Sequence, residues 1–129
     1  MLNGFGRLVG RMIVGIGVDV CAIDRFAAAE QRRPGFARRY LTEAEAALSM
    51  PSQAARFAAK EALAKALRIE HGLGWHDAEV VCDQFGRPEF AITGSVAARA
   101  RVLGVTRIHL SMSHDAGIAT AYVICEGER

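Results

Sequence analysis

Between residues 13 and 20 the apolar Val14, Ile16, Val18 and Val20 alternate with Gly15, Gly17 and Asp19. This period of two marks a strand with one apolar face. The other face is nearly bare, so Asp19 stands beside positions without side chains, where a ligand or a neighbouring backbone can come close. Asp24 is a good N-cap for a short helix over residues 25–33, which Pro34 and Gly35 end. Residues 36–41 continue as a second helical piece, and Thr42 with Glu45 forms a T-x-x-E capping box that opens a third. After Pro51 and Ser52 the period lengthens to that of a helix, predicted over residues 53 to 69. Ala59, Ala62, Leu63, Ala66 and Leu67 share one of its faces, while Lys60, Glu61, Ala64, Lys65 and Arg68 gather on the other, with Phe57 one turn ahead on the polar side. Beyond Gly74, the β-rich runs 78–82 and 89–92 flank Phe85-Gly86-Arg87-Pro88 as a hairpin. Residues 95–103 form a helix stopped by Gly104, and runs 107–113 and 118–125 alternate around Asp115-Ala116-Gly117 as a second hairpin. Antiparallel hairpins mixed with helices predict an α+β domain, an antiparallel β-sheet with packed helices.

At 129 residues, 51% hydrophobic and 23% charged, the chain has the size and balance of one soluble domain with a small core. Only 7% of residues are aromatic and 13 are glycine, so that core is built mainly from Ala, Val, Ile and Leu. Asp19 interrupts the best apolar run, which leaves no membrane span. Arg7 and Arg11 precede apolar residues in a signal-like order, but the stretch is short, broken by glycine and followed by Asp19, so export is not expected. The three cysteines, Cys21, Cys82 and Cys125, lie far apart without a C-x-x-C, as suits a reduced, cytoplasmic setting. A net charge of +2 is too weak to imply nucleic acid by itself. Arg25, Arg32, Arg33, Arg38 and Arg39 nevertheless crowd into one stretch against Asp24 and Glu30, which points to an acidic partner.

Gly15-Ile16-Gly17 does not open a dinucleotide-binding turn: the third glycine position is Val20, no long helix follows, and Asp19 would face a pyrophosphate with a negative charge. A divalent cation between them removes that objection, because a hard cation takes carboxylate, phosphate and water oxygens. Glu61 is the best second carboxylate, with Lys60 and Lys65 in the same turn for phosphates. The residues alone leave open a plainer reading, with Asp19 as a strand-end turn residue and Glu61–Lys65 as a solvated pair. His109 and His114 are five apart on one strand and face opposite ways, which disfavours zinc, and the consecutive Ser113-His114-Asp115 cannot form a catalytic relay.

Three stretches decide between these readings by resemblance to the holo-acyl-carrier-protein synthase family, the small trimeric class of 4′-phosphopantetheinyl transferases. Gly15-Ile16-Gly17-Val18-Asp19, continuing through Ile23 to Arg25, resembles the family's opening strand and helix start. Arg56-Phe57-Ala58-Ala59-Lys60-Glu61-Ala62-Leu63-Ala64-Lys65-Ala66 resembles its F-x-x-K-E-x-x-x-K-A helix, the most specific of the three. Ser111-Met112-Ser113-His114, followed by Ala119, Ala121, Val123 and Glu126, is similar to its terminal S-x-S-H hairpin. Ala22 stands where many members carry an acidic residue, and Val18 where Thr or Ser is frequent. The likeness divides the chain into an N-terminal extension, residues 1–11, and a transferase domain, residues 12–129.

The resemblance implies a 4′-phosphopantetheinyl transferase-like fold and transfer of phosphopantetheine from coenzyme A to a serine of apo-acyl carrier protein, with release of adenosine 3′,5′-bisphosphate, in fatty acid biosynthesis. It implies that Asp19 and Glu61 hold Mg²⁺ against the pyrophosphate, that Lys65 assists as a point charge, and that Lys60 and His114 contact phosphates. The base is either Glu61 or a metal-bound water. Arg25, Arg32 and Arg39, with Phe36 as an apolar anchor, become the docking face for the acidic carrier protein. A homotrimer follows as well, and the residues offer a reason: apolar strand surface around Ile108, Leu110, Met112, Ile118, Tyr122 and Ile124 exceeds what one sheet and a few helices cover. The alternative from another class is a non-catalytic module that grips nucleic acid through the arginine cluster. Against it stand the near-neutral charge and the separation of Trp75, Tyr40 and Tyr122 into different elements.

Overall fold

A computed structural model describes residues 10–128. In chain order these form β1 (Arg11–Ala22), α1 (Ile23–Arg32), α2 (Phe36–Tyr40), α3 (Glu43–Ala46), α4 (Met50–Ala66), a 3-10 turn (Trp75–Asp77), β2 (Ala78–Cys82), β3 (Pro88–Ile92), α5 (Gly94–Leu103), β4 (Val105–Asp115) and β5 (Ile118–Glu128). The expected hairpins and helices are all present, in an α+β arrangement. Residues 1–9, most of the expected N-terminal extension and part of the signal-like stretch, lie outside the described residues, and β1 already begins at Arg11.

Three strands form one antiparallel sheet in the order β1-β5-β4, and β2 and β3 pair separately. The register sorts the side chains of the larger sheet into two faces. Gly15, Gly17, Asp19 and Cys21 lie opposite Cys125, Val123, Ala121 and Ala119, which in turn lie opposite Ile108, Leu110, Met112 and His114. Helix α4 covers this face. Its backbone comes so close to β1 that a Cβ on Gly15 would sit 1.9 Å from the Ala66 carbonyl oxygen, and one on Gly17 would sit 1.8 Å from that of Ala62. The bare face of β1 is therefore the packed one. Ala58, Ala59, Ala62, Leu63, Ala66 and Leu67 are buried against Ala121, Val123 and Cys125, and burial pushes the Cys125 thiol up to about 11.

Ile16, Val18 and Val20 share the opposite face with Ile124, Tyr122 and Thr120. That face is open: Ile16 is 61% exposed, Val20 64% and Tyr122 57%. The expected uncovered surface is thus corrected. Ile108, Leu110 and Met112 pack beneath α4 against the core, whereas Ile16, Val18 and Val20 join Ile118, Tyr122 and Ile124 outside it. Strand periodicity separates two faces; the approach of α4 decides which one is covered.

Some local expectations shift. Ala22 occupies the N-cap position of α1 and Asp24 sits in its first turn, where its charge favours the helix dipole without a capping hydrogen bond. Helix α4 starts earlier than expected, with Ser49 at the N-cap and Pro51 in the first turn. The Thr42–Glu45 box forms in both directions: Glu45 N donates to Thr42 Oγ1 and Thr42 N to Glu45 Oε1.

The largest correction concerns Lys60, which is fully buried and not on the polar face of α4. Its ammonium donates to Glu45 Oε1 at 2.6 Å, Tyr40 O at 2.7 Å and Trp75 O at 3.1 Å, so all three protons are spent inside. Burial pushes Lys60 down from its ordinary range while Glu45 holds it up. Glu45 Oε2 also accepts from Val80 N at 2.8 Å, which ties α3 and α4 to β2. Lys60 has no proton left for a phosphate, and the phosphate-binding role expected of it is withdrawn. Phe57, expected on the polar side, instead packs with Phe26, Phe36 and Tyr40, and Tyr40 reaches Trp75 at a centroid distance of 5.2 Å. Trp75 and Tyr40 thus join one cluster with Phe26, Phe36 and Phe57, while Tyr122 stays apart on the open sheet face.

Candidate active site

The close contact of β1 with α4 builds the site. Because strand residues two apart share a face, Asp19 follows Gly15 and Gly17 onto the α4 side. Gly15 meets the helix at Ala66 and Gly17 meets it one turn earlier at Ala62, so β1 runs back along α4 and brings Asp19 beside Glu61 and Lys65. Lys65 Nζ donates to Asp19 Oδ1 at 3.1 Å and to Val18 O at 2.9 Å, and its side chain is 56% exposed. Burial pushes the Glu61 carboxyl above the ordinary carboxylate range, the Asp19 charge pushes it further, and Lys65 opposes both. Asp19, Glu61 and Lys65 thus meet as expected.

Among the described residues no cluster of three or more His, Cys, Asp or Glu side chains forms a complete metal cage. Two neighbouring carboxylates, one of them raised by burial and by the charge of the other, still fit a hard cation that completes its shell with phosphate oxygens and water, as Mg²⁺ does. Their donor set is oxygen only, and both groups become more favourable when a dication neutralises them.

His114 is not part of this group within the chain. It lies opposite Ala119, which lies opposite Cys21, so two strand spacings, about 10 Å, separate it from β1. His109, on the open face, forms a hydrogen-bonded pair with Glu126 that holds the Glu126 carboxyl below its ordinary range. The three cysteines are free.

The arginine stretch leads to a second feature. A cavity of about 400 Å³ opens at the end of β1 and is lined by Cys21, Arg25, Phe26, Arg32, Phe36 and Phe57 among others. Its lining is largely apolar and aromatic, with Arg25 and Arg32 as its charged members. Arg39 lies apart from it, with its guanidinium 5.9 Å from the centre of the Tyr40 ring. Phe57 sits one turn before Glu61, so the cavity adjoins the N-terminal side of the carboxylate site. Arg25, Arg32 and Phe36 are expected there from the sequence, whereas Phe26 and Phe57 join that surface only in the fold. The signal was present in the spacing of Phe26, Phe36 and Phe57, which only the fold converges. A larger groove, about 780 Å³, runs between β4 and the β2–β3 hairpin past Asp83, Arg87 and Pro88.

Among the described residues no helix is long and apolar enough to cross a membrane. The sequence matches the model of the 4′-phosphopantetheinyl transferase superfamily over residues 15–123, which contain Asp19, Glu61 and Lys65. It is 59% identical to the holo-[acyl-carrier-protein] synthase of Cutibacterium acnes over 116 residues, 90% of this chain and 100% of that one. The structure is similar to the crystal structure of a Plasmodium yoelii holo-acyl-carrier-protein synthase, with a TM-score of 0.80, 26% identity and coverage of 93% and 99% of the two chains. It also resembles the Helicobacter pylori holo-[acyl-carrier-protein] synthase in complex with coenzyme A, with a TM-score of 0.76, 29% identity and coverage of 85% and 98%. With Asp19, Glu61 and Lys65 brought together inside the matched segment, the chain belongs to the 4′-phosphopantetheinyl transferase superfamily and, within it, to the holo-[acyl-carrier-protein] synthases, which move phosphopantetheine from coenzyme A to apo-acyl carrier protein.

Proposed function

We propose that this enzyme works with Mg²⁺ held by Asp19 and Glu61, that it acts as a homotrimer in the cytoplasm, and that it serves fatty acid biosynthesis. The observation that supports the metal reading is that Asp19 lies near enough to Glu61 for its charge to raise that carboxyl, with the Lys65 ammonium 3.1 Å from Asp19. When bound, Mg²⁺ supplies Lewis-acid polarisation of the diphosphate and offsets charge on the leaving phosphate. The serine Oγ of the carrier attacks the phosphorus that bears the pantetheine arm. The bond from that phosphorus to the bridging oxygen breaks, and its electron pair leaves on adenosine 3′,5′-bisphosphate. Glu61 accepts the serine proton, and Lys65 stands against the phosphate oxygens as they gain charge.

The carrier docks on the cavity at the end of β1. Arg25 and Arg32 meet the acidic side of its helix, and Phe36 and Phe57 receive an apolar side chain. Arg39 extends the basic rim along α2. This surface lies one turn from Glu61, so the serine arrives beside the base. The open sheet face, with Ile16, Val18, Val20, Ile118, Tyr122 and Ile124, is the surface that a trimer covers. Assembly then gives His114 a role its own chain does not offer, because it contacts phosphates in a neighbour's site. The superfamily match leaves a nucleic-acid module without support.

A Mg²⁺ titration after chelation tests the metal assignment, with adenosine 3′,5′-bisphosphate release as the readout. Wild-type release is expected to vanish with chelator and return with Mg²⁺, and Asp19→Ala is expected to stay inactive at every concentration. Full turnover in chelator, or in Asp19→Ala at limiting Mg²⁺, would contradict it.

A further inference from the structure

The basic stretch that frames the docking cavity contains a carboxylate whose place there is unexpected. Glu30 lies in α1 between Arg25 and Arg32, half-buried beside a surface that receives an acidic partner. A free carboxylate at that position repels such a partner. Glu30 is not spent on its arginine neighbours, since among the described residues it forms no ion pair. Its oxygens go instead to the backbone of the next helix. Gly35 N donates to Glu30 Oε2 at 2.8 Å, and Ala37 N donates to Glu30 Oε1 at 3.4 Å.

These two bonds flank Phe36. Its own N–H donates to Arg33 O at 2.8 Å, so three successive donors at the start of α2 are occupied, two of them by one side chain from α1. Helix α2 cannot supply that cap itself, because its N-cap residue is Gly35 and has no side chain. The joint offers little else to fix it. Gly35 sits at φ 95°, a conformation that glycine enters and leaves without strain, and nothing lies within 4 Å of the place a Cβ would take. Glu30 thus closes the turn between α1 and α2. Just past that turn Phe36 enters the cavity wall, with its ring 5.7 Å from that of Phe26 and 6.3 Å from that of Phe57.

We propose that Glu30 is a positioning residue for the carrier protein: by capping α2 from α1 it fixes Phe36 relative to Arg25 and Arg32, so that the apolar anchor and the charges meet the carrier as one surface. The inference rests on the reading that the carrier docks on the cavity at the end of β1. Its sign separates it from a simple charge effect. Removing a negative charge beside a basic docking face strengthens the attraction for an acidic partner. Releasing Phe36 weakens docking, because the anchor must then be ordered when the carrier binds. The two effects oppose one another, and only the first fades as salt screens it.

Steady-state kinetics on the wild type, Glu30→Ala, Glu30→Gln and Arg32→Glu test it, with carrier protein and coenzyme A varied in turn at low and at high salt. In Glu30→Ala the KM for the carrier is expected to rise about fivefold at high salt, where the lost charge no longer counts, while the KM for coenzyme A stays within about twofold. Glu30→Gln keeps an oxygen acceptor for Gly35 N and is expected to recover most of that rise. A carrier KM in Glu30→Ala that is unchanged or lower at high salt overturns the proposal and leaves Glu30 a surface charge. A fall in kcat with an unchanged carrier KM overturns it too, since that is the mark of partial unfolding, and so does an equal rise in Glu30→Gln. Arg32→Glu separates this inference from the reading beneath it. A raised carrier KM at low salt in that variant, with no rise in Glu30→Ala, removes Glu30 alone, whereas no rise in either variant removes the docking surface.

Discussion

Replacing Lys60 with methionine removes the buried ammonium and keeps a side chain of similar length. Glu45, only 1% exposed, then loses its counter-charge, and the Tyr40 and Trp75 carbonyls lose a donor. Removing one partner of a buried ion pair costs about 3–5 kcal/mol. Glu45 retains the hydrogen bonds from Thr42 N and Val80 N, which favours the lower end, about 3 kcal/mol. Against a total of about 5–15 kcal/mol for a domain, this is a large share. Urea unfolding followed by circular dichroism is expected to show the midpoint falling by roughly 1–3 M at ordinary m-values. Adding Glu45→Met removes the orphaned carboxylate, so the double variant is expected to be less destabilised than the sum of the two single ones. At a temperature where Lys60→Met remains folded, its KM for coenzyme A is expected to match wild type. A loss below about 1 kcal/mol, strict additivity, or a raised KM for coenzyme A in folded protein would refute the buried role.

Four further outcomes follow from the same geometry. Gly17→Ala puts a methyl group 1.8 Å from the Ala62 carbonyl oxygen, so β1 and α4 separate; stability is expected to fall by about 1–3 kcal/mol in denaturant titration and transfer to be lost. Glu61→Gln is expected to abolish transfer yet raise the melting temperature without metal at neutral pH. The sign follows from the raised carboxyl: stability is full below the ordinary carboxylate range and is lost as pH rises through the shifted value, and glutamine removes that loss. Arg32→Glu is expected to raise the KM for the carrier protein several-fold and leave that for coenzyme A unchanged, with added salt weakening the wild type in the same way; an unchanged carrier KM would remove Arg32 from the docking surface. Tyr122→Lys places a charge on the open sheet face, and light scattering is expected to show loss of the trimer together with loss of activity.

The strand alternation of β1, the capping box at Thr42 and the alanine face of α4 were all legible in the sequence because each depends on residues within a turn or a strand of one another. Lys60 was not. Its partners lie 15 to 20 residues away, at Glu45, Tyr40 and Trp75, and helical spacing places it between the buried Ala59 and the half-buried Glu61. A buried lysine beside a functional glutamate carries the same local pattern as an exposed one. The carboxylate site was legible as residue types, but its assembly depends on Gly15 and Gly17 admitting the helix backbone, a tertiary contact that alternation only permits. His114 shows the converse: the motif letter is present, while the register keeps it two strands from Asp19.

The central claim is that Asp19 and Glu61 catalyse transfer of phosphopantetheine to a carrier serine. Its most direct measurement is the intact mass of purified apo-acyl carrier protein after incubation with coenzyme A, Mg²⁺ and the enzyme, alongside Asp19→Ala and Glu61→Gln controls of native circular dichroism. A carrier heavier by one phosphopantetheine group with wild type, and of unchanged mass with both variants, is the predicted result. An unmodified carrier with active-condition wild type, or full modification by either variant, would contradict it.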